Sequence, residues 1–213
     1  MEQAKGKPIT ETMSAHEQFQ AYKKVINYLH FLGDYATPEE RESITRKSRS
    51  YYLSIYPIIF TVAILRHVSH LSELALGLYS FINSLQYMNQ HSLMLSHGDL
   101  HTDNILQENG KLTVVDLEQG TFTYPEFDTV ATLSSRRSSA EFRALLKQET
   151  DGIANDRKIA ERLAGVGAFI STFNLTSNLS TGHTIHYASI LKYLNEFSVD
   201  RTTRINRKDL GMN

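Results

Sequence analysis

Apolar residues recur at helical spacing over most of this chain and at strand spacing only near its middle. Ser14-Ala15-His16-Glu17 is a capping box, the Ser hydroxyl accepting from a helix amide while the Glu reaches back. Phe19, Tyr22, Ile26 and Leu29 then mark one helical face. Thr37-Pro38-Glu39-Glu40 starts a second helix, with Pro at its first position, expected to carry Ile44 and later Tyr51 and Tyr52. The apolar run from Tyr51 to Leu65 is shorter than the ~20 residues a membrane span requires. It reads as buried core, with Pro57 expected to bend or split its helix. Leu71, Leu74, Leu78, Ile82, Leu85 and Met88 predict a long helix leading to the middle of the chain.

Beyond the middle the helical period returns. Residues 141–149 form a short amphipathic piece. Asp156 is placed to cap a helix whose apolar face is Ile159, Leu163, Val166, Ile170 and Phe173. Gly165 and Gly167 lie inside it. No strand precedes them and no Gly-Lys-Ser/Thr follows, so they read as a close helix contact and not as a phosphate loop. Residues 176–182 read as a polar loop, Ile185, Ala188, Leu191 and Leu194 as a last helix, and 198–213 as a polar tail. There is no internal repeat.

The middle of the chain behaves differently. Residues 92–95 are a short apolar approach, and 96–103 read as a loop. Residues 104–107 and 111–117 read as two strands joined at Glu108-Asn109-Gly110, Asn-Gly being a strong hairpin signal. Such a hairpin folds Asp116 back towards the loop that holds Asp99 and Asn104. Three oxygen-bearing side chains then converge at one end of a small sheet. One Asp can orient an attacking hydroxyl and accept its proton, while an Asn and a second Asp suit Mg²⁺ carrying a nucleoside triphosphate.

These residues carry a resemblance. His97-Gly98-Asp99-Leu100-His101, Asn104-Ile105-Leu106 and then Val114-Val115-Asp116-Leu117-Glu118 resemble the catalytic core of the aminoglycoside phosphotransferase and choline kinase-like family. Tyr124-Pro125-Glu126-Phe127-Asp128 is similar to the Pro-x-x-Asp that follows the metal site there. The resemblance implies an α+β, mostly helical architecture: the C-terminal lobe of a protein-kinase-like fold, with a small β-hairpin at the catalytic site. That lobe is expected to span 14–197. Residues 1–13 are polar and irregular, and Gly6-Lys7-Pro8-Ile9 is similar to the family's linker between lobes.

The implied chemistry is phosphoryl transfer from ATP (or GTP), with Mg²⁺, to a hydroxyl of a small molecule such as an aminoglycoside, sugar or amino alcohol. Asp99 is the implied catalytic base, and Asn104 and Asp116 hold the metal and, through it, the nucleotide phosphates. His97 orders the loop, and Asp128 braces it from the next helix. His101 and Glu118 are supporting candidates. For Glu118, contact with metal or substrate and a solvated acid are both open. For His97 and His101 together, a zinc pair is the minor alternative. The family's nucleotide-gripping β-lobe has no room before residue 14, so this chain is expected to be the C-terminal lobe alone. That expectation leaves two further readings: a non-catalytic, pseudokinase-like binding module, or a truncated remnant. It also makes a separate N-lobe chain, or self-association, an expected partnership.

Bulk composition narrows this only slightly. The 213 residues are 41% hydrophobic and 21% charged, an ordinary globule with ample material for a core. A formal net charge of −1 gives no reason to expect nucleic acid, and no membrane partner is expected. Cys is absent, which excludes disulfides, thiol catalysis and Cys-based zinc sites. With no apolar leader at the start, a cytoplasmic location is expected. Arg46, Lys47 and Arg49 form a basic patch, read as a solvated helix face in preference to an anion site.

Overall fold

The computed structural model describes residues 5–88, 93–135, 137–154 and 156–177. Two compact units emerge, one from residues 1–48 and 91–159, the other from 49–90 and 160–213. The predicted last helix and the polar tail lie outside the described residues.

The first unit holds the hairpin. Strand β1 (Lys7–Pro8) leads into the short helix α1 (Ile9–Thr12), and helix α2 follows (Ala15–Tyr35). The capping box at Ser14 is formed in both directions, with Glu17 accepting from the Ser14 amide at 2.8 Å. Phe19, Tyr22, Val25 and Leu29 of α2 are buried with Ile9, Leu100, Ile105, Phe142 and Leu146 in one core cluster. Residues 7–12 are therefore ordered rather than irregular. Lys7 and Pro8 pair antiparallel with Gln107 and Leu106 of β3 (Ile105–Glu108), and Ile9 is fully buried. β3 pairs in turn with β4 (Lys111–Val114), giving sheet order β1-β3-β4. Asn109 (φ 51°) and Gly110 (φ 79°) make the turn with both angles positive, as a two-residue hairpin of type I′ requires.

A second small sheet pairs β2 (Met94–Ser96) with β5 (Thr121–Thr123). α2 presses directly on it: a Cβ at Gly33 would sit 2.8 Å from Leu95 Cβ. Helix α3 (Pro38–Ser43) starts where predicted, with a capping box between Thr37 and Glu40, but ends before Ile44, which is extended. The expectation of one helix running on from Thr37 past Ile44 is corrected here. Residues 45–47 instead lie along β5, with Phe122 N donating to Thr45 O at 2.9 Å and Lys47 N donating to Phe122 O at 2.8 Å. Unpaired backbone on the edge of β5 outcompetes helix continuation. Helices α6 (Phe127–Ser134) and α7 (Ala140–Ile153) complete the unit.

The second unit is helical among the described residues. Helix α4 (Arg49–Arg66) runs through Pro57 without splitting, α5 spans Leu71–Met88, and α8 spans Arg157–Ser177 with only its first residues in the first unit. Asp156 caps α8, its Oδ1 accepting from Lys158 N at 2.7 Å. Aromatic rings fill the interior: Tyr56 stacks on Phe81 at 3.8 Å between centroids, and Tyr52 meets Phe169 edge-on at 4.7 Å. Gly165 marks the expected close contact, because a Cβ there would collide with the Ser84 side chain of α5. The buried line of α5 is Leu74, Gly77, Phe81, Ser84 and Met88; Leu71 and Ile82, predicted on its apolar face, are exposed, as is Phe173 on α8. No single described helix is long and apolar enough to cross a membrane; α4 and α5 pass that test only as a pair bent by 111°.

Candidate active site

The loop between β2 and β3 has no ladder partner, so its backbone polar groups must be satisfied by side chains. Asp128, in the first turn of α6, does most of this. Its Oδ2 accepts from His97 N at 2.9 Å and its Oδ1 from Gly98 N at 3.0 Å. Burial pushes the Asp128 carboxyl above the usual Asp range, opposed by the His97 amide, the Ser96 hydroxyl and the Gly98 amide. Gly98 has φ 87°, and a Cβ on it would collide with the Gln119 carbonyl oxygen. The loop and the turn after Asp116 therefore touch backbone to backbone.

His97 makes the next tie. Its ring Nε2 lies 2.7 Å from Val115 O, which can only accept, so Nε2 carries the proton. Nδ1 is then free to accept from Asp99 N at 3.4 Å. Leu100 is buried in the core, and its carbonyl accepts from the Thr132 hydroxyl. Tyr22 OH is 2.8 Å from Thr132 Oγ1 and, with that hydroxyl's proton committed to Leu100, must donate to it. Burial raises the Tyr22 phenol well above its ordinary value, with the Asp128 charge adding to the effect.

Asn104 closes the loop. Its amide N donates to His101 O and its carbonyl accepts from Val115 N, both at 3.0 Å. Its side-chain Nδ2 donates to Asp99 O at 3.1 Å, which leaves Oδ1 as the outward acceptor of a buried amide. Asp116, one residue past Val115, is exposed, sits in the left-handed region (φ 60°, ψ 41°), and does not cap the 3₁₀ turn that follows it. A non-glycine residue held there costs of order 1 kcal/mol, a type of strain that clusters at functional sites. One hydrogen-bonded web thus joins Asp99 to Asn104, Asn104 to Val115 and His97 to Val115, the residue before Asp116.

Around Asp99 the structure adds a residue that the spacing does not reveal. Arg137 Nη1 donates to Asp99 Oδ2 at 3.2 Å and lies 2.7 Å from His101 Nε2. It belongs to the connection between α6 and α7, far along the sequence. The paired arginines at 136 and 137 were its only sequence signal, and nothing tied them to the loop.

The model of the phosphotransferase enzyme family (APH) matches residues 63–195, more than half of the chain, and takes in His97, Asp99, His101, Asn104, Asp116, Asp128 and Arg137. The chain belongs to this family. No curated protein is significantly similar to it.

In this member of the family the oxygen-bearing groups at 104 and 116 are an amide and a carboxylate. Hard oxygen ligands of that kind, one or two from protein with the rest from phosphate and water, are what Mg²⁺ takes. Among the described residues no three His, Cys, Asp or Glu side chains form a metal cluster. A zinc pair at His97 and His101 does not fit: both ring nitrogens of His97 are engaged, and Nε2 of His101 faces Arg137. Glu118 is exposed on the turn after Asp116. The basic patch is likewise corrected: Arg46 bridges to Phe122, and Lys47 lies over the Phe127 ring at 4.8 Å, half-buried, with burial lowering its pKa. It is not a solvated helix face.

Proposed function

We propose that this phosphotransferase moves the terminal phosphoryl group of Mg²⁺-bound ATP (or GTP) to a hydroxyl of a small molecule, such as an aminoglycoside, sugar or amino alcohol. The observation that carries the reading is the web joining Asp99, Asn104 and Val115, which leaves the Asn104 oxygen and the Asp116 carboxylate available at one end of the hairpin. Asp99 orients the acceptor hydroxyl and takes its proton as the oxygen bonds to phosphorus and the bond to the nucleoside diphosphate breaks. Asn104 and Asp116 hold Mg²⁺ against the phosphate oxygens. The ion, when bound, offsets the charge that develops during transfer. His97 and Asp128 act on the loop backbone, fixing where Asp99 and Asn104 stand.

The test is Mg²⁺-dependent ATP binding and phosphoryl transfer by the chain. Asp99→Asn should lower the transfer rate by about 10²–10⁴-fold while nucleotide still binds. Asp116→Asn should weaken Mg²⁺-dependent nucleotide binding itself. Wild-type rates from both variants would show the assigned roles to be wrong.

A further inference from the structure

The contact between Arg137 and Asp99 is part of a built platform. The connection that carries Arg137 is pinned from α7, where Arg143 Nη1 donates to Ser135 O at 3.1 Å and to Ser138 O at 2.7 Å. It is pinned from within, Arg137 N donating to Ser135 Oγ at 3.2 Å. It is also joined to the catalytic loop, where buried Ser138 and Thr102 hydroxyls lie 3.2 Å apart. An exposed ion pair alone carries little energy or precision. This one is supported on both sides.

The hydrogens of Arg137 Nη1 are both used. One points to Asp99 Oδ2 and the other to His101 Nε2. A guanidinium can only donate, so His101 Nε2 is an acceptor and its proton lies on Nδ1, which is buried without a hydrogen-bond partner, Asp103 Oδ2 lying 3.9 Å away. Asp103 is itself fixed, its Oδ1 accepting from Thr10 Oγ1 at 2.8 Å. The His101 ring is almost fully buried and so cannot swing away. Support runs from the buried His101 ring to Arg137, and from Arg137 to one oxygen of Asp99.

We infer that Arg137 is a positioning residue for the proton-accepting carboxylate, and that His101 is the support that aims Arg137. By occupying Oδ2, Arg137 fixes the rotamer of Asp99 and leaves Oδ1 as the oxygen that meets the acceptor hydroxyl. This rests on the phosphotransfer reading above. It assigns to His101 a place in the site that the loop sequence alone did not supply.

The experiment compares wild type, Arg137→Ala, Arg137→Lys, His101→Ala and the double variant, with Mg²⁺·ATP affinity and transfer kinetics measured for each. Arg137→Ala should lower kcat by roughly ten- to a hundredfold, the scale of a misplaced reacting group. Mg²⁺·ATP affinity should stay within about twofold, because Asn104 and Asp116 are untouched. Added guanidinium ion should restore part of the rate to Arg137→Ala, and Arg137→Lys should fall between the two. Arg137→Ala with His101→Ala should be no slower than Arg137→Ala alone, the mark of two residues acting through one contact. Arg137→Ala at the wild-type rate in an active enzyme overturns the inference and leaves the phosphotransfer reading intact. Additive losses in the double variant overturn the part given to His101. A wild-type protein that neither binds Mg²⁺·ATP nor transfers phosphate removes the phosphotransfer reading, and the inference falls with it. If His101→Ala does not fold, the Arg137 pair and the guanidinium rescue still decide the matter.

Discussion

The two units solve opposite problems. In the helical one, backbone groups are satisfied within each helix, so its interior can be apolar rings: Tyr52, Tyr56, Phe81 and Phe169, with Gly165 letting α8 approach Ser84. In the other, the stretch from His97 to Asn104 has no ladder, and its amides and carbonyls are held by buried side chains. Asp128 and Thr132 do this from beyond the hairpin, His97 and Asn104 from within the loop. Regular structure lets packing be oily. An irregular loop that must stand still for chemistry needs buried polar groups, which are costly when left unpaired.

The sharpest way to break this contrast is at Asp128. Asp128→Ala strips the buried His97 amide of its partner and the half-buried Gly98 amide of one of its two, and about 4 kcal/mol of unfolding free energy should be lost in urea titrations, from ~1–3 kcal/mol per unsatisfied group plus lost packing. Asp128→Asn exposes the pH dependence. The folded state raises this carboxyl above its unfolded value, so folding takes up a proton between the two. The stabilisation is full below the ordinary Asp range and is lost as pH rises through the elevated folded pKa. The wild-type advantage over Asp128→Asn should therefore shrink with rising pH across that window. An advantage that grows would show the carboxyl to be favoured in its ionised form.

Next in size is Phe81→Ala in the helical unit, expected to cost about 3–4 kcal/mol by leaving a cavity against Tyr56. The smallest effect discriminates best. Tyr22→Phe removes the donor to Thr132 in the chain that ends on Leu100 O, and should cost roughly 1 kcal/mol. Tyr56→Phe removes only a 3.5 Å contact with Thr172 and should cost a few tenths. Burial lifts the Tyr56 phenol to about 12, so neither hydroxyl ionises in a neutral-pH measurement. Equal losses at the two tyrosines would dissolve the distinction between the units.

What the sequence disclosed follows the same division. The capping box at Ser14, the helix start at Thr37, the Asn109-Gly110 turn and the Asp156 cap are local, and each formed as read. That Asn104 lies beside Val115, next to Asp116, was legible because hairpin geometry translates spacing into proximity, whereas His97 and Asp128 were legible only through the family resemblance. The strand at residues 121–123, the docking of residues 45–47 along it and the pairing of Lys7–Pro8 were not. Each is too short to show a period, and each is decided by a partner far away in the chain. Arg137 was hidden for the same reason, 38 residues from the carboxylate it meets.

The backbone angle at Asp116 has a practical consequence for anyone dissecting this protein. Alanine there would impose its own conformational penalty, since Asp and Asn tolerate the left-handed region and a β-carbon without a polar tip does so less well. An alanine scan would therefore blend two losses, one in folding and one in the proposed Mg²⁺ affinity, and overstate the carboxylate. Asparagine keeps the shape and removes the charge, which makes it the fair comparator at this position.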